Sequence, residues 1–153
     1  MQINIGDHVS PVEGYSPVPV HLREQLYWAR TKARVIAATR PDANKYFLHL
    51  QRRRSLTDLL ADRSIWVNYS VKLGTDYGQA AGHDEIAIAP VAFRMGRWTV
   101  LATIIHELAH CDGAPGRYSR EAELAVLACG LGRKSEQVIG DDPYTPYNPN
   151  TTG

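Results

Sequence analysis

The chain has 153 residues, of which 44% are hydrophobic, enough for one globular domain with a buried core over residues 1–153. Its formal net charge of +1 gives no electrostatic reason to expect binding to nucleic acid or to a membrane surface. No stretch approaches the length of a membrane span, and the first residues lack the basic and apolar regions of a signal peptide.

The first third of the chain is predicted to be helical after an extended start. Residues 1–19 contain three prolines and two glycines, which indicates an extended entry segment packed over the domain. Apolar residues at three- and four-residue spacing predict a long scaffold helix over Val20–Thr39. Two shorter helices are predicted over Ala43–Gln51 and Ser55–Asp62, and the second can begin with a capping box.

Three consecutive arginines, Arg52 to Arg54, lie between the two shorter helices. A nucleic-acid-binding patch would usually add more positive charge and interleaved aromatic residues. We therefore interpret the arginines as a solvated helix end and expect no nucleic-acid partner.

The middle of the chain changes to strand-forming residues. A strand is predicted over Ile65–Val71, and the glycine-rich stretch Lys72–Asp84 is predicted to be a loop. A short second strand is predicted over Glu85–Ala89, where Pro90 stops it. Because a proline-ended strand suits a sheet edge, and an exposed edge can pair with an extended peptide, we expect this strand to border a substrate groove.

The stretch RWTVLATIIHELAHCDG, from Arg97 to Gly113, contains the pattern H-E-x-x-H. Thr99 to Ala109 contains no glycine or proline and is apolar on nearly every side, which predicts a buried helix closed by Gly113. Polar side chains in such a helix need partners, because burying them unpaired is costly.

The spacing within this pattern suits a metal ion. Four residues separate His106 from His110, so a helix stacks both imidazoles on one face, where they can reach the same ion. Glu107 projects about 100° around the axis, beside them. Zinc needs neutral nitrogen ligands and an open position for water, and a neighbouring carboxylate can take the proton of that water. The pattern therefore predicts a catalytic zinc site, with a structural site or a coincidence as alternatives.

At these residues the sequence resembles the zincin metallopeptidases. The resemblance implies that His106 and His110 bind zinc and that Glu107 activates the water. The longer metzincin pattern, H-E-x-x-H-x-x-G-x-x-H, is matched through Gly113, but Gly116 stands where the third histidine would be. The chain therefore looks closer to gluzincins, whose third ligand is acidic and lies on a later helix. This implies an α+β, compact zincin-like domain, with the active-site helix packed on scaffold helices and an edge strand for substrate.

A further helix is predicted from a cap at Ser119 through Ala128, and it carries two glutamates. Its buried face is predicted to consist of Leu124, Leu127 and Leu131, extended by Val126 on the side where Glu123 lies. Glu123 lies on the flank of that face, and a buried carboxylate needs a counter-charge that zinc would supply. Glu123 is therefore the predicted third ligand. The alternatives that stay open are Glu121, Asp112 and His83.

Several other choices stay open. Cys111 and Cys129 are the only cysteines, and their spacing does not decide between a disulfide and a reduced pair. Residues 140–153 contain three prolines and two tyrosines and are predicted to be a disordered tail or an arm lying across the domain. By residue type, the candidate donors to an oxyanion are Tyr118, His83, Tyr144 and Tyr147.

The resemblance implies a zinc-dependent peptidase that acts on a peptide or protein substrate, with Glu107 as general base. A small leaderless chain with this motif and a Pro/Asn/Thr-rich end also looks like the metallopeptidase toxin domains carried by Rhs or VgrG proteins. Such a toxin would have an immunity protein or a secretion-system carrier as partner, and would be cytoplasmic in its producer or exported by a non-Sec system. Two alternatives are a SprT-like DNA-associated protease and a non-enzymatic binding module stapled by zinc.

Overall fold

The computed structural model of the chain describes residues 1–116 and 120–131. Within these ranges the protein is α+β, with six α-helices and a four-stranded sheet. A 3-10 helix, Val20–Leu22, leads into the first α-helix. The helices are α1 (Arg23–Thr39), α2 (Pro41–Phe47), α3 (Leu56–Ala61), α4 (Pro90–Met95), α5 (Arg97–Cys111) and α6 (Arg120–Ala128). The strands are β1 (Gln2–Ile3), β2 (Trp66–Tyr69), β3 (Gly78–Ala81) and β4 (Glu85–Ile88).

The sheet has the strand order β1, β2, β4, β3. The first three strands in this order run parallel, and β3 pairs antiparallel with β4, from Gly78↔Ile88 to Ala81↔Glu85. Two predictions are therefore wrong. The stretch 72–84, predicted to be a loop, contains β3, and β4, predicted to be an edge strand, lies between β2 and β3. The available sheet edge on this side belongs to β3.

Two of the three helices of the first half begin where the sequence predicts. The 3-10 helix and α1 together cover the predicted Val20–Thr39. The helix predicted over Ala43–Gln51 is α2, which begins two residues earlier, at Pro41, and ends four residues earlier, at Phe47. Ser55 caps α3, and both bonds of the predicted capping box form, because the Asp58 amide donates to the Ser55 hydroxyl and the Ser55 amide donates to the Asp58 carboxylate.

Helix α5 lies at the centre of the fold, and eleven of its fifteen residues are buried. α1 and α6 pack against it, and β3 and β4 contact it as well. The prediction of a helix buried on nearly every side is therefore confirmed. Gly113 follows the helix with a φ of +97°, the left-handed conformation that glycine adopts readily after a helix. Among the described helices, none is long and apolar enough to cross a membrane.

The predicted buried face of α6 is confirmed in part. Val126 and Leu131 are buried as predicted, whereas Leu127 is 40% exposed and Leu124 is only partly buried. The other buried residues of α6 are Ala122 and Ala125, whose small side chains allow close packing between helices.

The two cysteines are both buried and free, so no disulfide joins Cys111 and Cys129. Burial raises the pKa of each thiol to about 12. The thiols are therefore neutral packing groups rather than reactive ones.

Side chains along β2 and β4 alternate between the two faces of the sheet. The N-terminal segment binds the face that is turned away from the core. There the buried Glu85 carboxylate contacts His8 Nε2 at 2.6 Å and accepts hydrogen bonds from Ser10 (2.8 Å) and Asn68 (2.7 Å). Asn4 donates in turn to the Asn68 side-chain oxygen (2.8 Å). These bonds satisfy a buried carboxylate and fix the entry segment to the sheet.

We expect Asn68→Ala to lower the free energy of unfolding by about 2 kcal/mol, because it leaves the Asn4 amide and one Glu85 oxygen short of a buried partner. Val9→Ala is the matched control, since Val9 lies in the same segment and is 93% exposed. It should change stability by less than about 0.5 kcal/mol. Urea denaturation of both variants makes the comparison, and equal stabilities would contradict a structural role for the network.

Candidate metal centre

His106 and His110 lie in the last two turns of α5 and face each other, with their Nε2 atoms 3.1 Å apart. Two nitrogens bound to zinc at about 2.0–2.1 Å in tetrahedral geometry would lie about 3.3–3.4 Å apart. The Nδ1 atom of His110 is 3.2 Å from the Ala114 carbonyl, which can accept a hydrogen bond from Nδ1–H and leave Nε2 free as a ligand. Burial lowers the pKa of His110, which favours this neutral form. The two Nε2 atoms are therefore close to the spacing that a shared ion requires, and His110 is close to the required protonation.

Helix α6 places Glu123 against His106, with Oε1 3.1 Å from Nδ1. Both carboxylate oxygens are buried, and His106 Nδ1 is their one polar partner among the described residues. Burial alone would lower the pKa of His106, but the contact with Glu123 and the charge of Glu107 raise it overall. A buried carboxylate needs a cation close by, and a metal ion bound to His106 would supply that charge, so these residues fit a bound metal ion.

The two ring nitrogens of His106 face different partners. Glu123 contacts Nδ1, whereas His110 faces Nε2. An ion held by both Nε2 atoms would lie across the imidazole from Glu123, and a carboxylate at Nδ1 is the usual means of orienting a metal-binding histidine. Consistently, no three His, Cys, Asp or Glu side chains in the described part of the chain are arranged around one ion position.

The other residues considered as ligands lie elsewhere or belong to other contacts. Glu121 is exposed on α6, and His83 is exposed in the turn between β3 and β4. Asp112 is fully buried but bonds to Arg54. The structure therefore brings His106, Glu107, His110 and Glu123 together and leaves these three apart. Outside the described residues lie the predicted cap Ser119, the tail 140–153 and the tyrosines Tyr118, Tyr144 and Tyr147.

The loop between α2 and α3 binds the end of α5. Arg54 Nε lies 3.1 Å from Asp112 Oδ1, and Nη2 donates to the Cys111 carbonyl at 2.9 Å. The arginine neutralises a fully buried carboxylate and satisfies a carbonyl at the helix end. The interpretation of Arg52 to Arg54 as a solvated helix end is therefore wrong for Arg54. The contacts of Arg54 fix the turn after α5. The Ala114 carbonyl lies in this turn and contacts His110, so Arg54 also helps to position that histidine.

Glu107 extends from α5 toward β3 and is only 4% exposed. Burial raises its pKa to about 7, although the His106 charge and the Ala80 amide act in the opposite direction. A Cβ atom at Gly78 would lie 2.5 Å from the Thr103 methyl and 3.1 Å from Glu107 Oε1. Glycine is therefore required for the strand to approach the helix this closely.

A pocket of about 450 Å³ opens beside the histidine pair and Glu107. Helix α5 forms one wall and the β3 region forms the other. Its further lining residues are Asp76, Gly78, Gln79, Ala80, Gly82, Ala114 and Gly116.

Sequence reasoning missed the wall that β3 contributes to this pocket. The stretch GQAA has no β-branched or aromatic residue, and its one signal was the glycine, which in a strand often marks close backbone approach. It also missed Tyr15, in a segment where no chemistry was expected. The Tyr15 hydroxyl lies 3.2 Å from the Gln79 carbonyl on β3. Contacts of this kind join residues far apart in the chain and leave no local pattern.

Comparison with known proteins identifies no relative of this chain. No family model matches the sequence, and neither curated proteins nor solved structures show significant similarity to it. The resemblance to the zincins therefore depends on the motif and on the geometry of the site.

The burial of Glu107 predicts a pH-dependent stability difference in chelator-treated protein. The pKa of Glu107 is about 7 in the folded protein, above its ordinary value of 4.5. The contribution of Glu107 to the free energy of unfolding is therefore fully present below pH 4.5 and is lost as the pH rises through 7. Glu107→Gln removes this titration. The variant should match the wild type near pH 4 and exceed its free energy of unfolding by about 3 kcal/mol near pH 8.

Urea denaturation of both proteins across this pH range measures the difference. Glu24→Gln, an exposed glutamate in the first turn of α1, is the control and should show no such increase at high pH. A stability difference between Glu107→Gln and wild type that does not change with pH would show that the carboxylate is not perturbed by burial.

Proposed function

We propose that the protein is a zinc-dependent peptidase with a zincin-like domain. The observation that carries the proposal is a buried carboxylate, Glu107, beside two histidines whose Nε2 atoms are 3.1 Å apart, at the wall of an open pocket. A helix interior has no structural need for this set, because apolar side chains would fill the same space at lower cost. Hydrolysis at a metal gives each of the three residues a chemical role.

In this proposal His106 and His110 would hold a zinc ion, and Glu123 supplies negative charge that offsets it and orients His106. A bound zinc ion would supply Lewis acidity toward a water molecule and a peptide carbonyl. Glu107 accepts the proton of the attacking water and delivers it to the leaving amine. In the metal-free protein burial raises the pKa of Glu107 to about 7, and the charge of a zinc ion beside it would lower that pKa.

The β3 edge supplies a place for an extended substrate. The Ala89 amide donates to the Tyr77 carbonyl, so residue 77 is a hydrogen-bonded position of the antiparallel pair. Because such positions alternate, the backbone groups of Gly78 and Ala80 point away from β4, and both residues line the pocket, where the Ala80 amide bonds to Glu107. A peptide that pairs with this edge would run past Glu107, which explains how a protein substrate reaches the site.

The first test is Glu107→Gln, assayed for zinc content and for hydrolysis of an unstructured protein substrate such as casein. We expect activity to fall at least about a thousandfold, because the general base is lost, while zinc remains stoichiometric. Glu24→Gln is the control and should retain full activity. If the protein were instead a binding module stapled by zinc, the wild type and both variants would bind zinc and none would hydrolyse the substrate. That result would contradict the proposal.

The same pair of variants tests the proposal that the peptidase acts as a toxin. Expression of the wild type in a host cell should then be toxic, and Glu107→Gln should remove the toxicity. Toxicity that persists in Glu107→Gln at equal expression would contradict an enzymatic toxin.

The second test concerns the acidic residue of the metal site. Glu123→Gln should weaken zinc binding about 10–100-fold, the usual effect of removing a carboxylate that orients a metal-binding histidine. Complete loss of bound zinc would instead identify Glu123 as a direct ligand. Glu121→Gln is the matched control, since it lies on the same helix but is exposed, and its zinc affinity should be unchanged. Titration with a competing chelator measures all three affinities, and unchanged affinity in Glu123→Gln would exclude both roles.

A further inference from the structure

Aromatic and cationic side chains of α1 and α5 interlock on a surface separate from the metal centre. The Trp28 and Trp98 rings meet edge to face, with centroids 5.0 Å apart. The Arg97 guanidinium on α5 lies 4.6 Å from the Trp28 centroid on α1, and the Lys32 ammonium on α1 lies 5.6 Å from the Trp98 centroid on α5. Each helix therefore places a cation over an indole of the other, which holds the charges in fixed positions.

These cations form no ion pair among the described residues. Residues 25–41 and 86–106 contain no aspartate or glutamate, and Glu24, one turn before Trp28, forms no ion pair with a described cation. Lys32, Arg94 and Arg97 form no ion pair with a described carboxylate. The first turn of α5 contains no acidic residue, so the positive end of the helix dipole adds to the same potential. The surface is positive although the whole chain is nearly neutral.

A small pocket continues this surface toward the start of α1. It has a volume of about 250 Å³, and its walls include Leu22, Tyr69, Phe93 and Arg94. Gln25 joins the two regions, because it lies one turn before Trp28 and its side-chain amide is 3.4 Å from the Phe93 carbonyl. The pocket is smaller than the about 300–1,000 Å³ typical of small-molecule sites. It has room for one apolar side chain.

We propose that this surface binds an acidic, extended segment of a partner protein. The surface, called here the α1/α5 surface, is formed by Leu22, Gln25, Trp28, Lys32, Arg94 and Arg97. From Leu22 to Lys32 a helix advances about 15 Å, the length of four to five residues of extended chain. One apolar side chain of the segment fills the pocket, and its carboxylates bind Lys32 and Arg97. The cations are already fixed over the indoles, so less side-chain entropy is lost on binding.

The geometry favours an acidic protein over single-stranded nucleic acid. Nucleic-acid-binding surfaces use open aromatic faces on which bases stack. Here both indoles are partly buried, meet edge to face and carry a cation over one face. Their role is therefore to position charge rather than to stack a ligand.

The surface is also distant from the metal centre. Trp98 lies in the first turn of α5, whereas the two histidines lie in its last turns, about 15 Å further along the axis. A segment bound here leaves the pocket beside Glu107 open, so the inference does not depend on the proposed peptidase activity.

The test selects, from a library of displayed random peptides, those that bind the full wild-type chain. The affinity of the selected peptides is then measured by tryptophan fluorescence. We expect the enriched peptides to share aspartate or glutamate residues and one apolar residue three to five positions away. Lys32→Glu with Arg97→Glu should weaken binding of such a peptide about tenfold or more. The control pair Lys45→Glu with Arg63→Glu reverses two exposed cations elsewhere and should bind like the wild type.

A second pair, Lys32→Gln with Arg97→Gln, keeps long side chains over the rings and guards against misfolding of the charge-reversed protein. It should also lose binding while the melting temperature falls by only a few degrees, about the effect of two lost cation–π contacts. The proposal is overturned if no acidic consensus is enriched, or if both Lys32/Arg97 variants bind the selected peptide like the wild type. It is also overturned if an oligothymidine binds more tightly than the peptide and loses affinity in the same variants, because the surface would then bind nucleic acid.

Discussion

The burial of charge inside a central helix is the constraint on which the rest of the structure depends. Eleven of the fifteen residues of α5 are buried, and one of them is Glu107. Neighbouring elements are arranged to suit the polar groups of this helix. Glycine at position 78 lets β3 approach Glu107, α6 brings Glu123 to His106, and Arg54 neutralises Asp112 just beyond the helix end.

The three buried carboxylates on and near this helix differ in their partners, and the difference separates structure from function. Asp112 is paired with an arginine, which makes it a structural group. Glu123 contacts only His106 among the described residues, and the pKa of Glu107 is raised to about 7 by burial. Groups that are costly to the fold and lie together beside a pocket are typical of functional sites.

Local signals in the sequence predicted those parts of the fold that depend on local physics. The capping box at Ser55 and the buried, glycine-ended α5 follow from short-range rules, whereas α2 begins at Pro41, two residues before its predicted start. The strand β3 was missed because GQAA has low strand propensity and forms only by pairing with β4. The α6 face was predicted only in part, because leucine periodicity does not show that alanines can take buried positions. The pairing of Arg54 was missed because its partner lies 58 residues away.

Helix α5 connects two surfaces of opposite character. Its first turn carries Arg97 and Trp98 beside α1, and its last turns carry the histidines beside two acidic residues. A tightly packed helix has few alternative positions, since a shift would break contacts with α1, α6 and the sheet together. Coupling between two sites requires an element with two arrangements. A rigid α5 therefore argues that a partner on the α1/α5 surface would localise or recruit the protein rather than change the geometry around Glu107.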